Sequence, residues 1–141
     1  MPSQPSPDTT KIKQLCAEGY QAYDLADYSG ALRLFYQAWL LVPKPQTEWV
    51  EAGWVLTAIG DAYFKSKQFP QAIEALRSAL HCPDIDDNPF VELRLGQALL
   101  DQGQAQQARK HLQSCFNKVG RSIFEQEAPR YLNEIAELIN T

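Results

Sequence analysis

Apolar residues recur along this chain at helical spacing, and short polar breaks interrupt them at regular intervals. Three glycines, Gly19, Gly60 and Gly96, lie inside helix-like runs. Glycine there costs about 1 kcal/mol relative to alanine, so three of them need a reason. Each glycine opens the same series of offsets. Nine residues on stands Tyr28, Phe69 or Ala105, and twelve on stands Ala31, Ala72 or Ala108. Sixteen on comes Phe35, Leu76 or Leu112, and nineteen on Ala38, Ala79 or Cys115. Offsets that repeat without slippage are a structural period. The breaks LADYSG, KSKQFP and DQGQAQ divide each unit in two. The pattern predicts a helical hairpin per unit. Small residues on both helices let the backbones approach, and large ones fill the space up to the next pair. Pro70 and the pair Asn88–Pro89 are helix-start signals.

The three units span residues 12–45, 53–86 and 89–122 within one domain, 11–141. The glycines lie 41 and then 36 residues apart. The extra seven residues of the first gap fall around Gln46 to Ala52. With Thr47 as N-cap, they are predicted to lengthen the first helix of unit two by about two turns. Residues 1–10, MPSQPSPDTT, read as a disordered tail, with Asp8, Thr9 or Thr10 free to cap the first helix. Pro129 opens a last helix over about 128–140 that covers the apolar end of unit three. The expected fold is therefore all-α, with seven helices.

The units resemble the tetratricopeptide repeat, a helix–turn–helix unit of 34 residues. The first matches it with Leu15, Gly19, Tyr28, Ala31, Phe35, Ala38 and Pro43. The second matches with Leu56, Ile59, Gly60, Tyr63, Phe69, Ala72 and Ala79. The third keeps Leu95, Gly96, Ala108 and Leu112. It departs with Ala105 where an aromatic is usual and Cys115 where alanine is usual. The resemblance implies a right-handed α-solenoid that binds a protein partner in a concave groove lined by the first helices. Tyr20, Tyr23, Trp54, Phe64 and Phe90 fall on that lining, with Asp61, Lys65, Arg94 and Gln97 as polar neighbours. Large aromatics are effective anchors, and the expected centre of the site is the first helix of unit two, where Trp54, Asp61 and Phe64 share one face. In family members that clamp the acidic tail of heat-shock chaperones, five positions carry Lys, Asn or Arg. Here they hold Cys16, Tyr20, Ala58, Phe90 and Arg94, and only Arg94 matches. That argues against a co-chaperone role.

The run from Asn88 to Leu112, followed by GRSIFEQEAPRYL, resembles a group of small bacterial tetratricopeptide proteins found beside polymorphic toxins. This resemblance implies an immunity protein that blocks a cognate toxin domain. The alternative is an adaptor or secretion chaperone carrying a client segment. An enzyme or metal protein ranks last.

Composition narrows the reading. The net charge is −4 and the pI about 5.1, so a basic nucleic-acid footprint is absent. No apolar run approaches the length of a membrane span, and no secretory signal opens the chain. Cys16, Cys82 and Cys115 are odd in number and widely spaced, which suits reduced thiols in the cytoplasm. His81, Cys82, His111 and Cys115 fit no zinc-ligand spacing. Asp84, Asp86 and Asn88 begin like a calcium loop, but Pro89 stands where glycine is required and Leu95 where glutamate is. No nucleotide loop or catalytic set appears, so no metal, cofactor or enzymatic activity is expected.

Overall fold

Six helices pair into three hairpins in this computed structural model, which describes residues 6–139. They are α1 (Thr9–Asp24) with α2 (Tyr28–Leu40), α3 (Val50–Lys65) with α4 (Phe69–Ala79), and α5 (Pro89–Asp101) with α6 (Ala105–Val119). Two short helices follow, α7 (Pro129–Glu134) and α8 (Ala136–Ile139). Among the described residues there is no strand. The predicted all-α stack of hairpins is the observed one.

The recurring offsets are now explained. Gly19 faces the ring of Phe35, Gly60 the side chain of Leu76, and Gly96 that of Leu112. The three large partners are fully buried. Each hairpin turns through a residue in the left-handed region: Ala26 (φ 61°), Lys67 (φ 64°) and Gly103 (φ 88°). They stand at the same offset from the three glycines, so one turn is built three times.

The residue after each turn opens the second helix, and here the repeats differ. Asp27 caps α2, its carboxylate accepting from the Gly30 N–H at 2.9 Å. Gln104 holds the same backbone conformation (φ −99°, ψ 66° against −89°, 75°) but gives α6 no side-chain cap. Gln104→Asp is therefore expected to stabilise the protein by about 1 kcal/mol, read from urea unfolding. An unchanged midpoint would mean that the N–H groups at the start of α6 are already satisfied by solvent.

Three sequence expectations are corrected. The seven extra residues do not lengthen α3, which has 16 residues, as α1 does. Gln46–Glu48 form a 3-10 turn, and Trp49 is extended (φ −107°, ψ 142°). Thr47 caps nothing, because it lies inside that turn. At the end of α2 the Trp39 carbonyl accepts from the Val42 N–H at 3.1 Å and also from the Gln46 side-chain amide at 3.2 Å, which ties the insertion to that helix. At the N-terminus, Asp8 accepts from the Lys11 N–H at 3.0 Å, so Thr9 and Thr10 belong to α1. Residues 1–5 of the expected tail lie outside the described residues. At the C-terminus, the single covering helix is broken at Ile135, which gives eight α-helices among the described residues where seven were expected. Ile135 is fully buried and leaves the helical conformation (φ −111°, ψ 9°). Asn140 lies outside the described residues.

Candidate functional site

The first helices of the hairpins, α1, α3 and α5, lie next to one another, so equivalent positions form rows across a shared face. One row holds Lys13, Trp54 and Phe90, six residues before each glycine. A second holds Tyr20, Asp61 and Gln97, and a third Tyr23, Phe64 and Leu100.

The lower rows are knotted into one polar network. Asp61 accepts hydrogen bonds from the hydroxyls of Tyr20 (3.2 Å) and Tyr23 (2.8 Å), and from Nε of Arg94 (2.8 Å). Arg94 Nη1 donates to Oε1 of Gln97 (2.7 Å) and of Glu127 (2.5 Å). The Gln97 amide also donates to Glu127, at 2.7 Å. The guanidinium lies 4.7 Å from the ring centroid of Phe90 and 5.0 Å from that of Phe64. Arg94 thus joins α3, α5 and the segment that precedes α7.

The titration behaviour follows from these contacts. Burial alone would raise the Glu127 carboxyl. The hydrogen bond from Gln97 and the charge of Arg94 outweigh it, and its pKa falls below the ordinary 4.5. Burial would likewise lower that of Arg94, but the charges of Asp61 and Glu127 raise it. Tyr20 and Tyr23 are pushed up by burial and then by the Asp61 charge, so both stay protonated hydrogen-bond donors.

The structure therefore brings together seven of the nine residues expected to bind a partner: Tyr20, Tyr23, Asp61, Phe64, Phe90, Arg94 and Gln97. Their use differs from the expectation. Asp61, Arg94 and Gln97 are 2%, 5% and 0% exposed and satisfy one another, so they do not form a free contact surface. The residue that sequence reading missed is Glu127. No signal in the sequence marks it, because its meeting with Arg94 spans 33 residues and follows no repeat offset.

Two parts of this face stay open. Trp54 is 38% exposed, with the Lys13 ammonium 5.3 Å from its ring centroid. Lys65 is exposed at the edge of a cleft of about 550 Å³. Phe64, Phe69 and Leu100 line that cleft, and α7 contributes Tyr131 and Arg130 to it. The Tyr131 hydroxyl donates to Asp101 at 2.6 Å, and Arg130 pairs with the same carboxylate.

The His and Cys residues take other roles. His111 Nδ1 lies 3.4 Å from Glu92, which also accepts from Ser114 and Lys118, each at 2.7 Å, clipping α5 to α6. Cys115 is buried, and burial pushes its thiol up to about 11, so it stays protonated. Among the described residues no group of three or more His, Cys, Asp and Glu is placed to hold a metal ion. No helix among them is long and apolar enough to cross a membrane.

Three stacked helical hairpins with their first helices lining one face define the fold of tetratricopeptide-repeat domains. Residues 91–122 match the family model of the tetratricopeptide repeat. Solved structures of such domains match along more than nine-tenths of the chain. The first TPR domain of Spaghetti (RPAP3), bound to the HSP90 peptide SRMEEVD, is 17% identical. The match covers 94% of this chain and 93% of that one, with a TM-score of 0.71. The first TPR domain of human RPAP3, solved by NMR, is 16% identical over 91% and 89% of the two chains, with a TM-score of 0.68. The Sgt2 TPR domain from Aspergillus fumigatus is 20% identical over 97% and 82%, with a TM-score of 0.69. No curated protein matches the chain.

Proposed function

We propose that this chain is a protein-interaction module whose partner docks on the α1–α3–α5 face beside Trp54. One observation carries the reading. From Glu51 to Ala62, α3 buries every residue except Trp54. A large aromatic exposed alone within an otherwise sealed stretch of helix is a candidate binding anchor. Lys65 and the partly exposed edges of Tyr20, Tyr23 and Phe90 extend the contact surface. That a similar domain is bound to an HSP90 peptide supports protein binding as the use of this scaffold. The heat-shock tail itself is disfavoured. Arg94, the one clamp position that matches, is committed to Asp61 and Glu127.

The finer reading is an immunity protein that neutralises a cognate toxin domain. It rests on the resemblance of the run from Asn88 to Leu112 and the segment from Gly120 to Leu132, together with the stretch WVEAGW. The second reading, an adaptor carrying a client segment, draws on the open cleft beside Phe64 and Lys65. Three unpaired thiols suit a reducing compartment, the cytoplasm. The test is to search the gene's neighbourhood for a toxin gene and co-express the two, followed by co-purification and a growth assay; a neighbourhood without one would remove the immunity reading. Trp54→Ala is expected to weaken the complex by about 2 kcal/mol, roughly thirtyfold, with an unchanged melting temperature. Undiminished binding would move the partner elsewhere, and an unfolded variant would make Trp54 a core residue.

A further inference from the structure

Trp54 has a different environment on each flank. On the side of α1 lies Lys13. On the side of α5 is a cleft of about 240 Å³ between Trp54 and the turn that joins α4 to α5. Asp84, Ile85 and Asp87 of that turn line it.

The turn is a settled structure. Asp84 holds the left-handed conformation (φ 59°), and its carbonyl accepts from the Asp87 N–H at 3.2 Å. The Ile85 carbonyl accepts from Asn88, whose side chain caps α5 through the Phe90 N–H at 3.2 Å. The floor is close-packed: a Cβ at Gly53 would lie 3.3 Å from Cys82 Cβ and 3.4 Å from Ile85 Cδ1. With the backbone so satisfied, the carboxylates of Asp84 and Asp87 stand exposed. Among the described residues neither has a Lys, Arg or His nitrogen within 4 Å. The cleft thus offers an incoming group an indole and two unneutralised carboxylates.

We infer that this cleft receives an arginine side chain of the partner protein, its guanidinium against Trp54 and its N–H groups on Asp87 and Asp84. The inference rests on the docking face proposed above and adds the partner's chemistry. An aromatic face attracts a cation, and Lys13 already sits over this ring. Arginine fits better than lysine. Its guanidinium is planar, stacks on aromatic rings, is weakly hydrated and presents a fork of donors to carboxylates. An acidic segment meets like charge here. An apolar side chain leaves both carboxylates without a partner.

The probe is the peptide acetyl-Gly-Arg-Leu-Arg-Gly-amide, titrated into the 15N-labelled full chain. Two controls replace both arginines with citrulline, the uncharged isostere, or with glutamate. Saturable shifts of the Trp54 indole and of the Gly53 and Asp87 amides are expected with the arginine peptide alone. Asp84→Asn with Asp87→Asn should weaken binding at least tenfold. Asparagine keeps the left-handed turn accessible, and the undisturbed amide spectrum of the variant checks the fold. Trp54→Leu, read at Gly53, should weaken it similarly. No saturation, equal shifts from citrulline or glutamate, or shifts centred on Lys65 and Tyr131 would each overturn the inference. Should the arginine peptide fail while Trp54→Ala still weakens the complex with a partner protein, the docking face stands and only this chemistry falls.

Discussion

Arg94→Ala is expected to cost about 3–5 kcal/mol of folding stability, and the reason lies with the groups left behind. The pair of Arg94 with Asp61 is almost wholly out of water, and Glu127 is mostly so. Removing the cation leaves two carboxylates facing one space with only neutral donors, the Tyr20, Tyr23 and Gln97 side chains. It also strips Phe64 and Phe90 of the guanidinium that lies over both rings. For a chain of this length the melting temperature should fall by about 10 °C or more. The pH dependence gives a second readout. The wild-type Glu127 carboxyl titrates below 4.5. Its contribution is thus present above the unfolded value and lost as pH falls through the lowered folded one. Arg94→Ala removes the charge that holds the Glu127 carboxyl down, so the deficit should be largest at neutral pH and shrink as pH falls below the ordinary value of about 4.5. Urea unfolding at pH 7 and pH 4 measures both. Combining Arg94→Met with Asp61→Asn and Glu127→Gln should lose less than Arg94→Ala, because every buried charge is then gone. A loss under 1 kcal/mol at pH 7, or a deficit that grows on acidification, would contradict this account of the network.

The parts of the fold that were readable from sequence are those fixed by local geometry. Gly19, Gly60 and Gly96 meet Phe35, Leu76 and Leu112 sixteen residues on, inside one hairpin each. A contact at constant short separation leaves a period in the sequence. The site residues were readable as a group for the same reason, since equivalent positions on stacked helices must lie in rows. Their use was not readable. Whether Asp61 and Arg94 face solvent depends on where Glu127 arrives, 33 residues beyond Arg94, and that meeting has no period. The helix over about 128–140 was read as a cover for the end of the stack. Its start also reaches Phe64 of α3, where Tyr131 meets it at 6.4 Å between ring centroids, the rings tilted by 59°. The insertion around Trp49 was misread for a related reason. Its helix-like pattern of residues does not reveal that the chain takes a 3-10 turn at Gln46–Glu48 and runs extended at Trp49 before α3 begins.

Gly60→Leu should be the most damaging single change in the middle hairpin. A Cβ built on Gly60 falls 2.4 Å from Leu76 Cγ and 2.7 Å from Cδ2, both under normal contact. Leu76 is fully buried and branches at the contacted carbon, so it has little room to turn away. Even Gly60→Ala must shift α3 away from α4, although alanine favours the helix by about 1 kcal/mol. Leucine adds three more carbons to a space already closed. Overpacking of one or two methylenes costs about 1–3 kcal/mol, and this change exceeds that, so a loss of more than about 3 kcal/mol is expected. Gly53 on the same helix supplies the control. Its added Cβ would make contacts of 3.3 and 3.4 Å with Cys82 and Ile85, tight but tolerable. Gly53→Ala should therefore stay within about 1 kcal/mol of wild type, its helix propensity offsetting the crowding. Thermal and urea unfolding of the two variants side by side decide the matter. If Gly60→Leu melts with the wild type, α3 and α4 are not in the close approach that defines the repeat. If Gly53→Ala is damaged as badly, the cost reflects any side chain added to α3, and the hairpin contact is not what the period encodes.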